Sequence, residues 1–180
     1  MFIKSALAAA AALTLAACAS NAPAPMFSQA SLPDAVKVPA GHKVVLETVG
    51  VGDITYECRD KKDAAGQTEW VFVGPDAKLL DRDGKQVGKY YGPPATWEAN
   101  DGSKVTGAQL AIAPGGAGNI PLQLVKANPA TGRGAMTGIT YIQRVATAGG
   151  VAPAAPCTTA TKGQKQIVQY KSDYIFYKAM

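Results

Sequence analysis

From Val44 onward, apolar and polar positions alternate in short runs separated by turn residues. Val44-Val45-Leu46 opens a β-branched run that reaches Val49 and meets Gly50 and Gly52. Ile54, Tyr56 and Cys58 alternate with Thr55 and Glu57, the period of two expected of a half-buried strand. Trp70-Val71-Phe72-Val73 predicts another strand, stopped by Gly74-Pro75. Residues 77–81 and 85–91 flank Asp81-Arg82-Asp83-Gly84, and residues 95–99 and 103–112 flank Asn100-Asp101-Gly102. Both connections are hairpin signals, because glycine accepts the positive φ that tight turns require. Runs over 120–127, 135–145, 167–170 and 174–177 complete about ten short strands. Only Pro33 to Val38 predicts a turn of helix, and no internal repeat is visible. The expected class is all-β, an antiparallel sandwich or barrel in one domain, since hairpins need only short connections.

The N-terminus departs from this pattern. Met1 to Lys4 is a short basic start, and Ser5 to Leu15 is an apolar run rich in alanine. That is the layout of a secretory signal, and the run is too short for a membrane-spanning helix of about 20 residues. It ends in Leu15-Ala16-Ala17-Cys18, which resembles the bacterial lipobox, where cleavage leaves a lipid-modified cysteine first. Lipid attachment at Cys18 would also account for a cysteine without a partner in an exported chain. Neither Ala19 nor Ser20 is the aspartate that retains Gram-negative lipoproteins in the inner membrane, so the resemblance implies the outer membrane. Asn21-Ala22-Pro23-Ala24-Pro25 and Pro33 then suit a semi-rigid spacer, about 3.1 Å per residue where extended. The expected organisation is a signal peptide over 1–17, a Pro/Ala-rich tether over 18–35 and a β-rich domain over 36–180.

Composition narrows the field. The chain has 180 residues, 17% charged, with 19 Gly and 12 Pro, which argues against charge-driven disorder and against a helical bundle. The net charge of +5 hides an asymmetry. Residues 18–101 carry nine Lys/Arg and twelve Asp/Glu, whereas residues 102–180 carry eight Lys/Arg and only Asp173. A basic half favours anionic envelope partners such as lipid headgroups or peptidoglycan, unless strands of the two halves interleave. Nucleic acid is not an expected partner, for no basic-aromatic cluster argues for it.

Candidate chemistry is sparse. Cys58 and Cys157 are expected to pair as a disulfide in an exported chain. They are not in Cys-x-x-Cys, and with one histidine the chain lacks paired zinc-ligand spacing, so neither a metal nor a cofactor is expected. Gly-x-Ser-x-Gly, Walker and Rossmann motifs are absent. Gly115-Gly116-Ala117-Gly118 lacks a following Gly-Lys-Ser/Thr and predicts a flexible loop. His42 precedes a strand, and Asp81, Asp83 and Asp101 sit in turn sequences without EF-hand spacing. Glu98 beside Trp97 is the best single carboxylate for glycan chemistry, but a second carboxylate would be needed. The aromatic segment Tyr90-Tyr91-Gly92-Pro93-Pro94 leading into Trp97 is the candidate ligand-contact region, with Tyr90, Tyr91, Trp97 and Glu98 as its contact residues. It either forms a corner with Trp97 plugging the core or presents its tyrosines to a ligand.

Several segments, in order, resemble an exported family of bacteria and fungi designated domain of unknown function 3455. They are Val38-Pro39-Ala40-Gly41-His42, Tyr56-Glu57-Cys58, Trp70-Val71-Phe72 and the stretch from Val87 through Trp97-Glu98 to Ser103. Gly138-Ile139-Thr140-Tyr141-Ile142-Gln143-Arg144-Val145, Cys157 and Asp173 to Tyr177 complete the match. The family pattern has a His-Tyr pair before Gly-Pro-x-Trp. Here Tyr90-Tyr91 stands there with an extra residue before Trp97, so no catalytic histidine is implied. The resemblance implies export and the domain type, and no activity. The leading expectation is an envelope lipoprotein with a binding or structural β-domain. The alternatives are an enzyme acting on a glycan or small molecule and a periplasmic lysozyme-type inhibitor, the latter on the tripeptide Thr161-Lys162-Gly163. The balance is against an enzyme.

Overall fold

Why the alternating runs end up in a single closed sheet is visible in a computed structural model that describes residues 27–180. The segment expected to be a signal peptide, and Cys18, lie outside the described residues. Among these residues, eight antiparallel strands run in sequence order: β1 (His42–Asp60), β2 (Thr68–Leu80), β3 (Gln86–Tyr91), β4 (Thr96–Ala99), β5 (Lys104–Ala113), β6 (Leu122–Ala127), β7 (Tyr141–Gly149) and β8 (Lys165–Ala179). Each strand pairs with the next, and β8 returns to β1 from His42↔Ala179 to Glu57↔Lys165, closing a barrel. All-β architecture is thus as expected, and closure leaves the sheet without edges. No helix among the described residues is long and apolar enough to cross a membrane.

Eight strands replace the expected ten or so because three pairs of predicted runs are continuous. Gly50 and Gly52 lie inside β1, Gly74-Pro75 inside β2, and Lys171 to Asp173 inside β8. These glycines are places of close approach rather than turns. A Cβ on Gly52 would overlap the carbonyl oxygen of Asp76 on β2, and one on Gly74 would overlap that of Gly92. The run expected over 135–145 begins as a strand only at Tyr141, and Met136 and Ile139 instead fold beneath the barrel as buried plugs.

The connections after β2, β4 and β6 form the lower end. Met136 and Ile139 close it, held by Ser103 Oγ, which accepts a hydrogen bond from the Met136 N–H at 3.1 Å. The connections after β1, β3, β5 and β7 form the upper end. There the Cys58–Cys157 disulfide ties β1 to the long segment before β8.

The part of the expected tether that the structure describes, residues 27–35, is not a free spacer. Phe27 and Leu32 pack with Val36 and Val38 over Val145, Ile175 and Tyr177 on the outside of β7 and β8. Gln29 fixes this strap by accepting from the Val38 N–H at 2.8 Å and donating Nε2–H to the Val38 carbonyl at 3.0 Å. The predicted helical turn is a 3-10 turn over Asp34–Val36.

Strand order also decides the fate of the charge asymmetry. Neighbours in the wall are neighbours in sequence, so the acidic part of the chain forms the arc β1–β4 and the basic part the arc β5–β8. The two do not interleave.

Candidate functional site

The lower half of the barrel is filled and the upper half is not. Tyr90 and Trp97 are cross-strand partners on β3 and β4, and their rings stack at 4.7 Å and 24°. Tyr174 of β8 tilts against Tyr90 at 5.0 Å and stands edge-on to Trp97 at 5.8 Å. Such offset and edge contacts are worth about 0.5–1.5 kcal/mol each beyond burial. Together they make an aromatic floor, with Trp97 only 1% exposed.

Above the floor opens a cavity of about 350 Å³. Tyr56, Phe72, Tyr90 and Trp97 give it aromatic walls, with Ile54, Ile120 and Val125 between them. Gly107 belongs to this wall too, and a Cβ there would overlap Val125 Cγ1, so the glycine lets β5 and β6 approach. Polar groups are few. Gln123 Nε2 donates to Gln109 Oε1 at 2.6 Å, and the Tyr56 hydroxyl donates to the Gly150 carbonyl at 2.8 Å. Trp97 Nε1–H, closed off from solvent, finds no acceptor among the described residues.

The one charged residue lining the cavity is Arg144. On β7 it shares its parity with Ile142, which faces the core, whereas Tyr141 and Val145 face the strap. Its Nε and Nη2 both donate to the Pro121 carbonyl, at 3.2 and 2.9 Å. No carboxylate lies within 4.0 Å of it among the described residues. Burial pushes the hydroxyls of Tyr90, Tyr170 and Tyr174 well above the ordinary tyrosine range; the hydrogen bond from Tyr174 opposes this at Tyr170, and the Arg144 charge only partly opposes it at all three. Tyr90 in the cavity wall and Tyr174, the β8 partner of Arg144, are therefore neutral phenols.

The structure splits the four expected contact residues between two faces. Tyr90 and Trp97 line the cavity, while Tyr91 and Glu98 lie on the outside of β3 and β4. The Tyr91 hydroxyl donates to Glu98 Oε2 at 2.7 Å, and Lys89 and Lys104 stand at 3.4 and 3.6 Å from the same carboxylate. That hydroxyl, ahead of the two lysines, holds the Glu98 carboxyl below the usual range. A general acid in glycan hydrolysis needs the opposite shift.

The remaining candidates have structural partners. His42 lies at the lower end, its Nδ1 at 3.1 Å from the Pro39 carbonyl and its ring edge-on to Tyr141. Asp81 Oδ1 accepts from the N–H groups of Asp83 and Lys85 at 3.0 and 2.9 Å within its turn. Gly115 to Gly118 is organised by Asn119, whose Nδ2 donates to the Gly115 carbonyl at 3.0 Å. Lys162 pairs with Asp60, and the Gly163 N–H donates to the Cys58 carbonyl at 2.8 Å, which pins Thr161-Lys162-Gly163 to the top of β1. No cluster of three or more potential metal ligands occurs among the described residues.

Sequence reasoning missed Arg144 as a site residue. The one signal was Ile142 two residues before it on the same strand face, but Val145 on the opposite face is apolar too, so the pattern did not say which face is the interior. Compared with known proteins, residues 39–178 match the family model described as Protein of unknown function (DUF3455). No curated protein and no solved structure matches the chain.

Proposed function

The chain belongs to the DUF3455 family, and as that description assigns no activity, we propose from the site alone that it is an exported binding protein that holds a small apolar molecule in the upper half of its barrel. The observation that carries this reading is the aromatic-walled cavity of about 350 Å³ above the Tyr90–Trp97–Tyr174 floor. Eight-stranded barrels have interiors just wide enough to be filled by side chains or to hold one small ligand. Here the lower half follows the first pattern and the upper half the second. Concave, mostly apolar sites with a few placed polar groups are the usual form of small-molecule pockets. Binding rather than catalysis fits the polar inventory, because the candidate acid Glu98 lies on the outer wall, bonded to Tyr91.

Attachment to the bacterial outer membrane through lipid at Cys18 is part of the same proposal. The apolar run ending in Leu-Ala-Ala-Cys and the Cys58–Cys157 disulfide support it. The basic arc β5–β8 supports an anionic envelope surface as its neighbour. Mass spectrometry of the mature N-terminus should show a diacylglyceryl-modified Cys18, and an unmodified start elsewhere would refute the anchor.

The cavity is tested with N-phenyl-1-naphthylamine, an uncharged aromatic probe. It should bind with stoichiometry near one and quench Trp97, and Ala95→Phe, which fills the cavity wall, should abolish that binding without lowering the melting temperature by more than a few degrees. Absence of binding to the wild-type protein would refute the reading.

A further inference from the structure

We propose that the ligand of this cavity is an amphipathic organic monoanion, with an apolar body against the aromatic wall and one oxyanion head on Arg144. This inference rests on the binding reading above and deepens it by naming the chemical class. Guanidinium carries five N–H donors. The contacts to the Pro121 carbonyl use two of them, one from Nε and one from Nη2. Three donors remain, on Nη1 and on the outer side of Nη2. Paired N–H groups on adjacent nitrogens match the two oxygens of a carboxylate or similar oxyanion. The Pro121 carbonyl thus acts as a positioning group that holds the fork in one orientation.

The surroundings favour an anion over solvent alone. Arg144 is half-buried at the edge of a largely apolar cavity and has no carboxylate partner among the described residues, so a ligand that brings the opposite charge gains more there than on an open surface. Other basic wall groups, such as Lys89 and Lys104, are engaged outside by Glu98 and do not compete. The neighbouring phenols stay protonated at neutral pH and add no negative charge that would repel the head. One cation and a largely apolar wall fit a single charge, not a nucleotide or a bisphosphate.

The test compares two probes with the same aromatic body. N-phenyl-1-naphthylamine is uncharged, and 1-anilinonaphthalene-8-sulfonate carries one anionic oxygen group. On the purified full chain, the sulfonate should bind roughly tenfold or more tightly than the neutral probe, as expected of a charge-assisted pair. In Arg144→Met the ratio should fall to near one while neutral-probe binding persists. Arg144→Lys, which keeps the charge without the fork, should retain only part of the preference, and this comparison stands even if the methionine variant folds poorly. Equal affinities in the wild type, or a preference that survives Arg144→Met, would overturn the assignment and leave the cavity reading intact. Failure of both probes to bind the wild type, by contrast, would overturn the cavity reading itself.

Discussion

Asp101 organises much of the lower end of the barrel. Its Oδ1 accepts from the Ser103 N–H at 2.9 Å and the Ser103 hydroxyl at 2.5 Å, and its Oδ2 accepts from the Ala135 N–H at 2.8 Å. The Ser103 hydroxyl first, then the two backbone donors, hold its carboxyl below the usual range. A carboxyl whose pKa is depressed by folding stabilises the protein above its unfolded value and loses that contribution as pH falls through the folded value. Asp101→Asn should therefore lower the urea midpoint at pH 7, with the gap to wild type closing below about pH 4. A gap of constant size from pH 7 to pH 2.5 would refute this. Gly52 makes a different residue-scale statement. It has ordinary backbone angles, yet a side chain there would meet the Asp76 carbonyl and the Ala77 backbone. Gly52→Ala should cost about 1–3 kcal/mol through overpacking, read by equilibrium denaturation. From sequence, Gly52 looks like Gly84 or Gly102, which do sit in turns at φ 83 and 84. What separates them is a neighbouring strand, and no local pattern contains that. Arg144 was hidden for a related reason. The strap buries the outward face of β7, so Gln143 and Val145 are as buried as Ile142, and alternation no longer says which face is the interior.

At the level of elements, the hairpins were legible and the long strands were not. Asp81 to Gly84 and Asn100 to Gly102 carry their own turn chemistry, and both join consecutive strands as expected. The division of β1, β2 and β8 into shorter runs followed glycine and proline, which mark breaks only when the backbone bends there. The pairing of Cys58 with Cys157 was legible as an expectation, because export and lipid attachment at Cys18, if both hold, leave two thiols to pair. Its effect depends on placement. It joins the upper end of β1 to the long connection before β8, which is also fixed to β2, where Thr68 Oγ1 donates to the Cys157 carbonyl at 2.9 Å and Trp70 Nε1 to the Ala155 carbonyl at 2.7 Å. The bridged residues are 99 apart in sequence. Closing so long a loop removes chain entropy worth about 4–5 kcal/mol in the unfolded state, as an upper expectation. Cys157→Ser should lower stability by up to about that amount and make residues 150–164 the first site of limited proteolysis. Unchanged stability with an equally resistant segment would show that the crosslink is dispensable.

The whole molecule depends on a seam between its first and last strands. β1 and β8 pair along nearly their full length, yet they are the most distant strands in the chain. Tyr174, Ile175 and Phe176 on β8 are fully buried, and they serve both sides of the wall at once. Tyr174 and Phe176 point inward, Tyr174 to the aromatic floor, while Ile175 and Tyr177 point outward under the strap. On that outer side the Tyr177 hydroxyl donates to Gln143 Oε1 at 2.6 Å, and Gln143 Nε2 donates to the Val36 carbonyl at 2.6 Å, so strap, β7 and β8 form one unit. Ending the chain after Asp173 would remove all four buried side chains and expose the β1 and β7 edges, with their unpaired backbone groups open to other chains. Full burial of each such side chain is worth roughly 1.5–3 kcal/mol, and marginal domains have only about 5–15 in total. The truncated protein should lose its cooperative thermal transition and run as aggregates on size exclusion, whereas removal of the exposed Met180 alone should change neither. It should also fail to bind the neutral probe, because the cavity floor leaves with Tyr174. A monomeric truncation with a sharp melt and intact probe binding would mean that β1 to β7 suffice for both fold and site, and that closure is not what holds the barrel together.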